Sequence, residues 1–182
     1  TTSIAFATSA FPDNIPVDAV PTVEIPELDW ASVFAEDAAR SGKDEAPRFA
    51  IPHEVHITPR TDGIWERIDG RTMRWSLRVH SESAISLNLG FNRWALPSSA
   101  SMTISSTDGL MSIRPFSAID NKPHGELWTP AVQGDDLLIE ILVSPRQQRD
   151  VNLNIELTSI NVGYRGFYEQ DTNRSGSCNY DV

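Results

Sequence analysis

The chain is nearly devoid of cysteine: Cys178 is the only one in 182 residues. A single cysteine cannot close a bridge within the chain, so any fold must rest on a hydrophobic core. A chain of this length can bury one, as a single domain with tails. Cys178 is either a free thiol or half of a bridge to another polypeptide, and its polar, Gly/Ser-containing surroundings argue against burial. No apolar run approaches about 18 residues, so no membrane span is expected. Basic residues are short as well, 15 against 25 acidic, for a formal charge of −10. That field argues against nucleic acid as a partner. The opening TTSIAFATSAFPDN has no basic n-region and no long apolar stretch, so it is not an intact signal peptide. Enzyme signatures are missing too. There is no G-x-S-x-G elbow, no phosphate loop and no dinucleotide fingerprint, and no cofactor is expected.

The titratable residues that are present give no catalytic constellation. His53 and His56 stand three apart in a stretch of strand character, which puts them on opposite faces, whereas the zinc helix motif needs a spacing of four. No metal is expected there. His80 and His124 stand alone. Asp62, Asp69, Asp108 and Asp135 each adjoin a glycine and read as turn caps, with a calcium loop at Asp135-Asp136 left open. Of the five tryptophans, Trp75 falls on the apolar face of its strand. Trp94 follows Asn92-Arg93 in a loop-like context and suits either an exposed contact or the rim of the core.

Periodicity sets the organisation. Residues 1–25 carry Pro12, Pro16 and Pro21 and read as extended and poorly ordered. Pro26 to Arg40 reads as a helix with Trp30, Val33, Phe34 and Ala38 on one face and Gly42 beyond its end. From Phe49 the period becomes two. Met73, Trp75, Leu77 and Val79 alternate with Arg74, Ser76, Arg78 and His80, which are expected in solvent. Ile85, Leu87, Leu89 and Phe91 repeat the pattern, as two adjacent strands of one half-wet sheet. Met102 and Ile104 mark another strand. Gly125 to Thr129 and Leu137 to Val143 read as a hairpin around the turn residues Gln133 to Asp136, with Pro130 ending the first strand. Val151, Leu153, Ile155 and Leu157 alternate, and a phase slip to Ile160, Val162 and Tyr164 predicts a bulge near Thr158-Ser159. The expectation is a mainly β protein, a two-sheet antiparallel β-sandwich of jelly-roll type with one short N-terminal helix. Its parts are an N-terminal segment (1–25), a domain (26–168) with helix 26–40 and sandwich 48–168, and a polar linker (169–182).

A series of short motifs in order adds a family. Ala35 to Arg40 (AEDAAR), Pro47 to Ala50 (PRFA), Gly63 to Glu66, Trp75 to Val79, Ser86 to Phe91, Leu96-Pro97, Pro115-Phe116, Asp120-Asn121, His124 to Pro130 (HGELWTP), Gly134-Asp135 and Gly163 to Phe167 follow one another. Together they resemble the N-terminal pro-region of secreted bacterial lysyl-endopeptidase-like serine proteases, over about Leu28 to Phe167. Ser175 to Val182 (SGSCNYDV) is similar to the start of the mature catalytic domain in that family. The resemblance implies a secreted, non-catalytic pro-region that assists folding and maintains latency, with the protease catalytic domain as its partner in cis. It implies processing between Arg174 and Ser175 and a disulfide from Cys178 to the catalytic domain. One residue departs from the pattern: the junction carries Arg174, and lysine occurs only at Lys43 and Lys122. That points to an arginine-preferring relative or to processing by another enzyme. The alternative reading is a secreted β-sandwich binding module for carbohydrate or protein, attached to a larger chain.

Overall fold

The computed structural model describes residues 15–40 and 48–165. It is a β-sandwich of two sheets with two short α-helices. The first sheet holds β1 (Thr22–Glu24), β3 (Ile64–Arg67), β4 (Met73–His80), β6 (Ser101–Ser106), β7 (Phe116–Ser117) and β10 (Asp136–Val143). The second holds β2 (Ala50–Ile57), β5 (Ser86–Trp94), β8 (Leu127–Trp128), β9 (Val132–Gln133) and β11 (Ile155–Gly163). All pairings are antiparallel except β1 with β4.

The core lies between the sheets and follows the period-two pattern. Trp75, Leu77 and Val79 of β4 and Leu137, Ile139, Ile141 and Val143 of β10 point inward. They meet Leu87, Leu89 and Phe91 of β5 and Leu157, Ile160 and Val162 of β11, and every one is buried. Each such side chain contributes about 1.5–3 kcal/mol by leaving water. Trp94 is also core: it is 1% exposed and packs edge-on against Phe91 and Phe116 at centroid distances of 5.3 and 6.0 Å. The expected bulge is present. The register of β11 shifts between Leu157 and Ser159 against both of its neighbours.

Four local expectations are corrected. First, the stretch from Gly125 to Val143 is not a hairpin. Its two short strands, Leu127–Trp128 and Val132–Gln133, both pair with β5, and the chain crosses to the other sheet at Gly134-Asp135, where Gly134 has φ +110°. Likewise β4 and β5 sit in opposite sheets. Second, residues 148–154 are helical. In α2 (Gln148–Asn154) Val151 is fully buried while Leu153 is 43% exposed, and strand geometry starts only at Ile155. Val151 and Ile155 are four apart, so the same letters satisfy a helical face as well as an alternation.

Third, helix α1 (Trp30–Arg40) begins at Trp30, not in the turn after Pro26. Asp29 caps it, accepting from the Ser32 N–H at 3.2 Å. Its inward positions are Val33 and Asp37, while Phe34 is 49% exposed and Ala38 is exposed. Fourth, the described part of the N-terminal segment is docked. Residues Val17–Ala19 form a 3-10 turn and β1 pairs with β4 over Arg78 to His80. Ile15 N–H donates to Glu66 Oε1 at 3.1 Å. The outer face of the first sheet is therefore not simply wet. Arg74 pairs with Glu66 at 2.8 Å and Glu140 at 3.3 Å, Arg78 pairs with Asp136, and Ser76 between them is buried.

Candidate functional site

The expected processing pair, Arg174 and Ser175, and the expected disulfide residue, Cys178, lie outside the described residues. The structure does describe the chain that leads toward them. Strand β11 ends at Gly163, and the next residues, Tyr164 and Arg165, are held by helix α1. The Tyr164 hydroxyl donates to Asp37 Oδ2 at 2.5 Å and lies 2.9 Å from the Arg48 carbonyl oxygen. Arg48 Nε donates to Asp37 Oδ1 at 3.1 Å, and Arg165 donates to Asp37 Oδ2 at 2.9 Å. The Tyr164 ring lies 5.8 Å from Trp30 and 5.9 Å from Phe34. A helix this short is marginal alone and is held by these contacts.

Asp37 is the centre of the clamp, with its side chain 8% exposed. The Tyr164 hydrogen bond holds its carboxyl below the usual carboxylate range, against the opposing effect of burial, and Arg48 and Arg165 add to the lowering. Burial, followed by the bond to Asp37, pushes the Tyr164 hydroxyl up. A buried acid of this kind is stable because donors reach it from two separate places in the sequence, Arg48 and the pair Tyr164-Arg165.

A second feature is the outer face of the second sheet. Alternation and register put Asn88, Gly90, Ser159 and Asn161 on this face near its centre. Trp128 faces Gly90 across the β5–β8 pair and is 60% exposed. Its ring fills the space above Gly90: a Cβ there would meet the indole carbons at 2.5 Å. The absence of a side chain at Gly90 thus seats an exposed indole against the sheet. Thr158 Oγ1 donates to the Gly90 carbonyl at 3.2 Å, and Ser159 Oγ donates to Asn161 Oδ1 at 3.1 Å. Charge on this face gathers at one end, where Arg93 pairs with Glu156 and His56 lies 3.5 Å from the same carboxylate.

The remaining candidates stand apart from one another in local contacts. His53 points toward the interior of the sandwich, where desolvation holds its pKa below the ordinary value, and the His56 side chain is 85% exposed on the opposite face. They do not converge. His80 pairs with Glu24 at 2.7 Å, and His124 Nδ1 accepts the Glu126 N–H at 3.1 Å. Asp62, Asp69 and Asp108 are turn caps, accepting the N–H groups of Thr58, Arg71 and Leu110. Asp136 is committed to Arg78. Among the described residues no three His, Cys, Asp or Glu side chains group as a metal site, and no helix is long and apolar enough to cross a membrane. No model of a known protein family matches the chain, and no solved structure matches it.

Proposed function

We propose that the chain is the non-catalytic pro-region of a secreted trypsin-like serine endopeptidase, which it helps to fold and keeps latent until the Arg174-Ser175 bond is cut. The observation that carries this reading is the ordered run of motifs from Leu28 to Phe167. Its last member begins with Gly163 and Tyr164, at the Asp37 clamp. The clamp supports the reading mechanically. It fixes Arg165, and an extended chain from there to Arg174 reaches about 30 Å. A basic residue in a stretch whose sequence is polar and aperiodic suits entry into a protease cleft. A carboxylate in a trypsin-like specificity pocket would meet its guanidinium through charge-assisted bonds. The need for such a partner is kinetic: all-β proteases are rich in non-local pairings and fold slowly. A preformed sandwich that binds the native protease and not its unfolded chain favours folding by mass action.

The first test is the coding sequence after Val182, which should supply a histidine, an aspartate and a serine in a GDSGG-like stretch. The 182-residue chain should then inhibit the mature protease in trans. N-terminal sequencing should place the start of the protease at Ser175, and an Arg174→Ala precursor should accumulate uncleaved. A start elsewhere sinks the processing site, and absence of inhibition sinks latency.

One observation favours the second reading, a carbohydrate-binding module: the exposed Trp128 braced on Gly90 amid Asn and Ser side chains. An indole plane beside hydrogen-bonding amides suits the apolar face of a pyranose ring. On this reading cellohexaose or xylohexaose should shift the tryptophan emission of the chain and Trp128→Ala should abolish the shift, with no inhibition of the protease.

A further inference from the structure

The chain is acidic, yet one end of the first sheet is basic. Six arginines are occupied by carboxylates: Arg48, Arg74, Arg78, Arg93, Arg114 and Arg165. Arg67, Arg71 and Arg146 form no ion pair with any carboxylate among the described residues, and all three are exposed. They line one hollow of about 330 Å³, together with Gly70, Ser144 and Pro145.

The register explains why residues so far apart in sequence meet. Met73 opens β4 with Arg67 paired on one side and Val143 on the other. The β3–β4 turn, which carries Gly70 and Arg71, therefore lies beside the turn after β10, which carries Ser144 to Arg146. Alternation also explains why the nearest acids do not neutralise them. Glu66 and Glu140 lie on the opposite face of the sheet from Arg67, where both pair with Arg74. Asp69 is the one carboxylate in the turn itself. It is turned onto the turn's own donors, accepting from the Arg71 N–H at 2.7 Å and the Thr72 hydroxyl at 3.3 Å.

Like charges gathered on the lining of one hollow repel each other, and in a chain of charge −10 carboxylates to relieve that repulsion are plentiful. Asp69 acts on the Arg71 charge from the turn, but no carboxylate among the described residues forms an ion pair with any of the three. Guanidinium is the side chain suited to tetrahedral oxyanions, which it grips with two parallel N–H donors. We propose that Arg67, Arg71 and Arg146 form a binding site for a phosphate or sulfate group. The site goes beyond the pro-region reading and does not depend on it. The volume admits an inorganic ion or one phosphorylated or sulfated unit of a larger ligand.

The test is calorimetric titration of the 182-residue chain with inorganic phosphate, sulfate and O-phosphoserine, each at ionic strength matched with sodium chloride. Saturable binding of one ion per chain is expected, with acetate binding more weakly. Preference for O-phosphoserine over the free ions would assign the site to an esterified ligand, and the reverse to the free ion. Arg71→Gln and Arg146→Gln should each weaken binding at least about tenfold, since each removes a charge-assisted pair. Neither side chain packs in the core, so both variants should melt no lower than the parent in phosphate-free buffer. Heat release no greater than that of sodium chloride alone would overturn the proposal. So would undiminished binding by the Arg67→Gln/Arg71→Gln/Arg146→Gln variant.

Discussion

Replacing Arg78 with alanine should destabilise the fold by about 2 kcal/mol, although strand alternation alone puts Arg78 on a solvent face, where such a change costs almost nothing. The magnitude follows from the pairing. Arg78 Nε donates to Asp136 Oδ1 at 2.8 Å and lies 3.0 Å from Oδ2, and the two side chains are only 24% and 14% exposed. The pair is diagonal on one face, because Arg78 stands opposite Leu138 and Asp136 opposite His80. Alanine at Arg78 leaves the Asp136 carboxylate largely desolvated and without its donor. That situation costs more than losing an exposed ion pair, which is worth about 0–1 kcal/mol. For a domain of this size a loss of 2 kcal/mol lowers Tm by about 4–8 °C. Thermal and urea denaturation of Arg78→Ala, Asp136→Ala and the double variant would measure the coupling directly, expected at about 1–2 kcal/mol. Arg149→Ala serves as the control, being exposed and expected within about 0.5 kcal/mol of the parent. Additive single changes, or a loss at Arg78 no larger than at Arg149, would refute the reasoning and restore a plainly solvated face.

Trp75→Ala should cost about 3–5 kcal/mol in urea denaturation, since Trp75 is 3% exposed and its Nε1 donates to the Asp62 carbonyl at 2.7 Å. An NMR titration should place the His80 midpoint above the ordinary histidine value, chiefly through its bond to Glu24, and Glu24→Gln should bring it down. Because the folded pKa is raised, this contribution to docking of β1 is complete below about pH 6.5 and fades as pH rises through the folded midpoint. Asp37 has the opposite sign. Its pKa is lowered in the fold, so its contribution is present above the ordinary carboxylate range and is lost as pH falls through the lowered value. Thermal melts between about pH 6 and 3 should show that loss in the parent and a smaller one in Asp37→Asn.

Much of the sandwich is legible in the letters because burial on one face leaves a period of two. β4, β5, β6 and the second half of β11 can be read this way, and so can the bulge at Thr158-Ser159. What cannot be read is which strand pairs with which. Leu127–Trp128 and Val132–Gln133 look like neighbours of the run at Leu137, and they belong to the opposite sheet. Periodicity records which face of a strand is buried and carries no label for the sheet that buries it. Short segments fail differently. Val151 to Ile155 satisfies two periods at once, and the buried positions, Val151 and Ile155, are the ones both periods share.

The candidate sites are the least legible features, and for a common reason. Each depends on residues whose meaning is set by a partner far along the chain. Asp37 read alone belongs on the wet side of a helix; it turns inward because Arg48, Tyr164 and Arg165 are waiting there. Trp128 carried one usable signal, the glycine at Gly90 in the middle of an apolar strand, which marks a close approach without naming what approaches. Arg67, Arg71 and Arg146 carried none, since a lone arginine beside a turn reads as ordinary solvation. Only the pairing of Met73 with both Arg67 and Val143 turns three unremarkable residues into one charged hollow. A charge cluster of that kind is a property of register. It is invisible to any reading that treats each strand by itself, and it can be tested one arginine at a time.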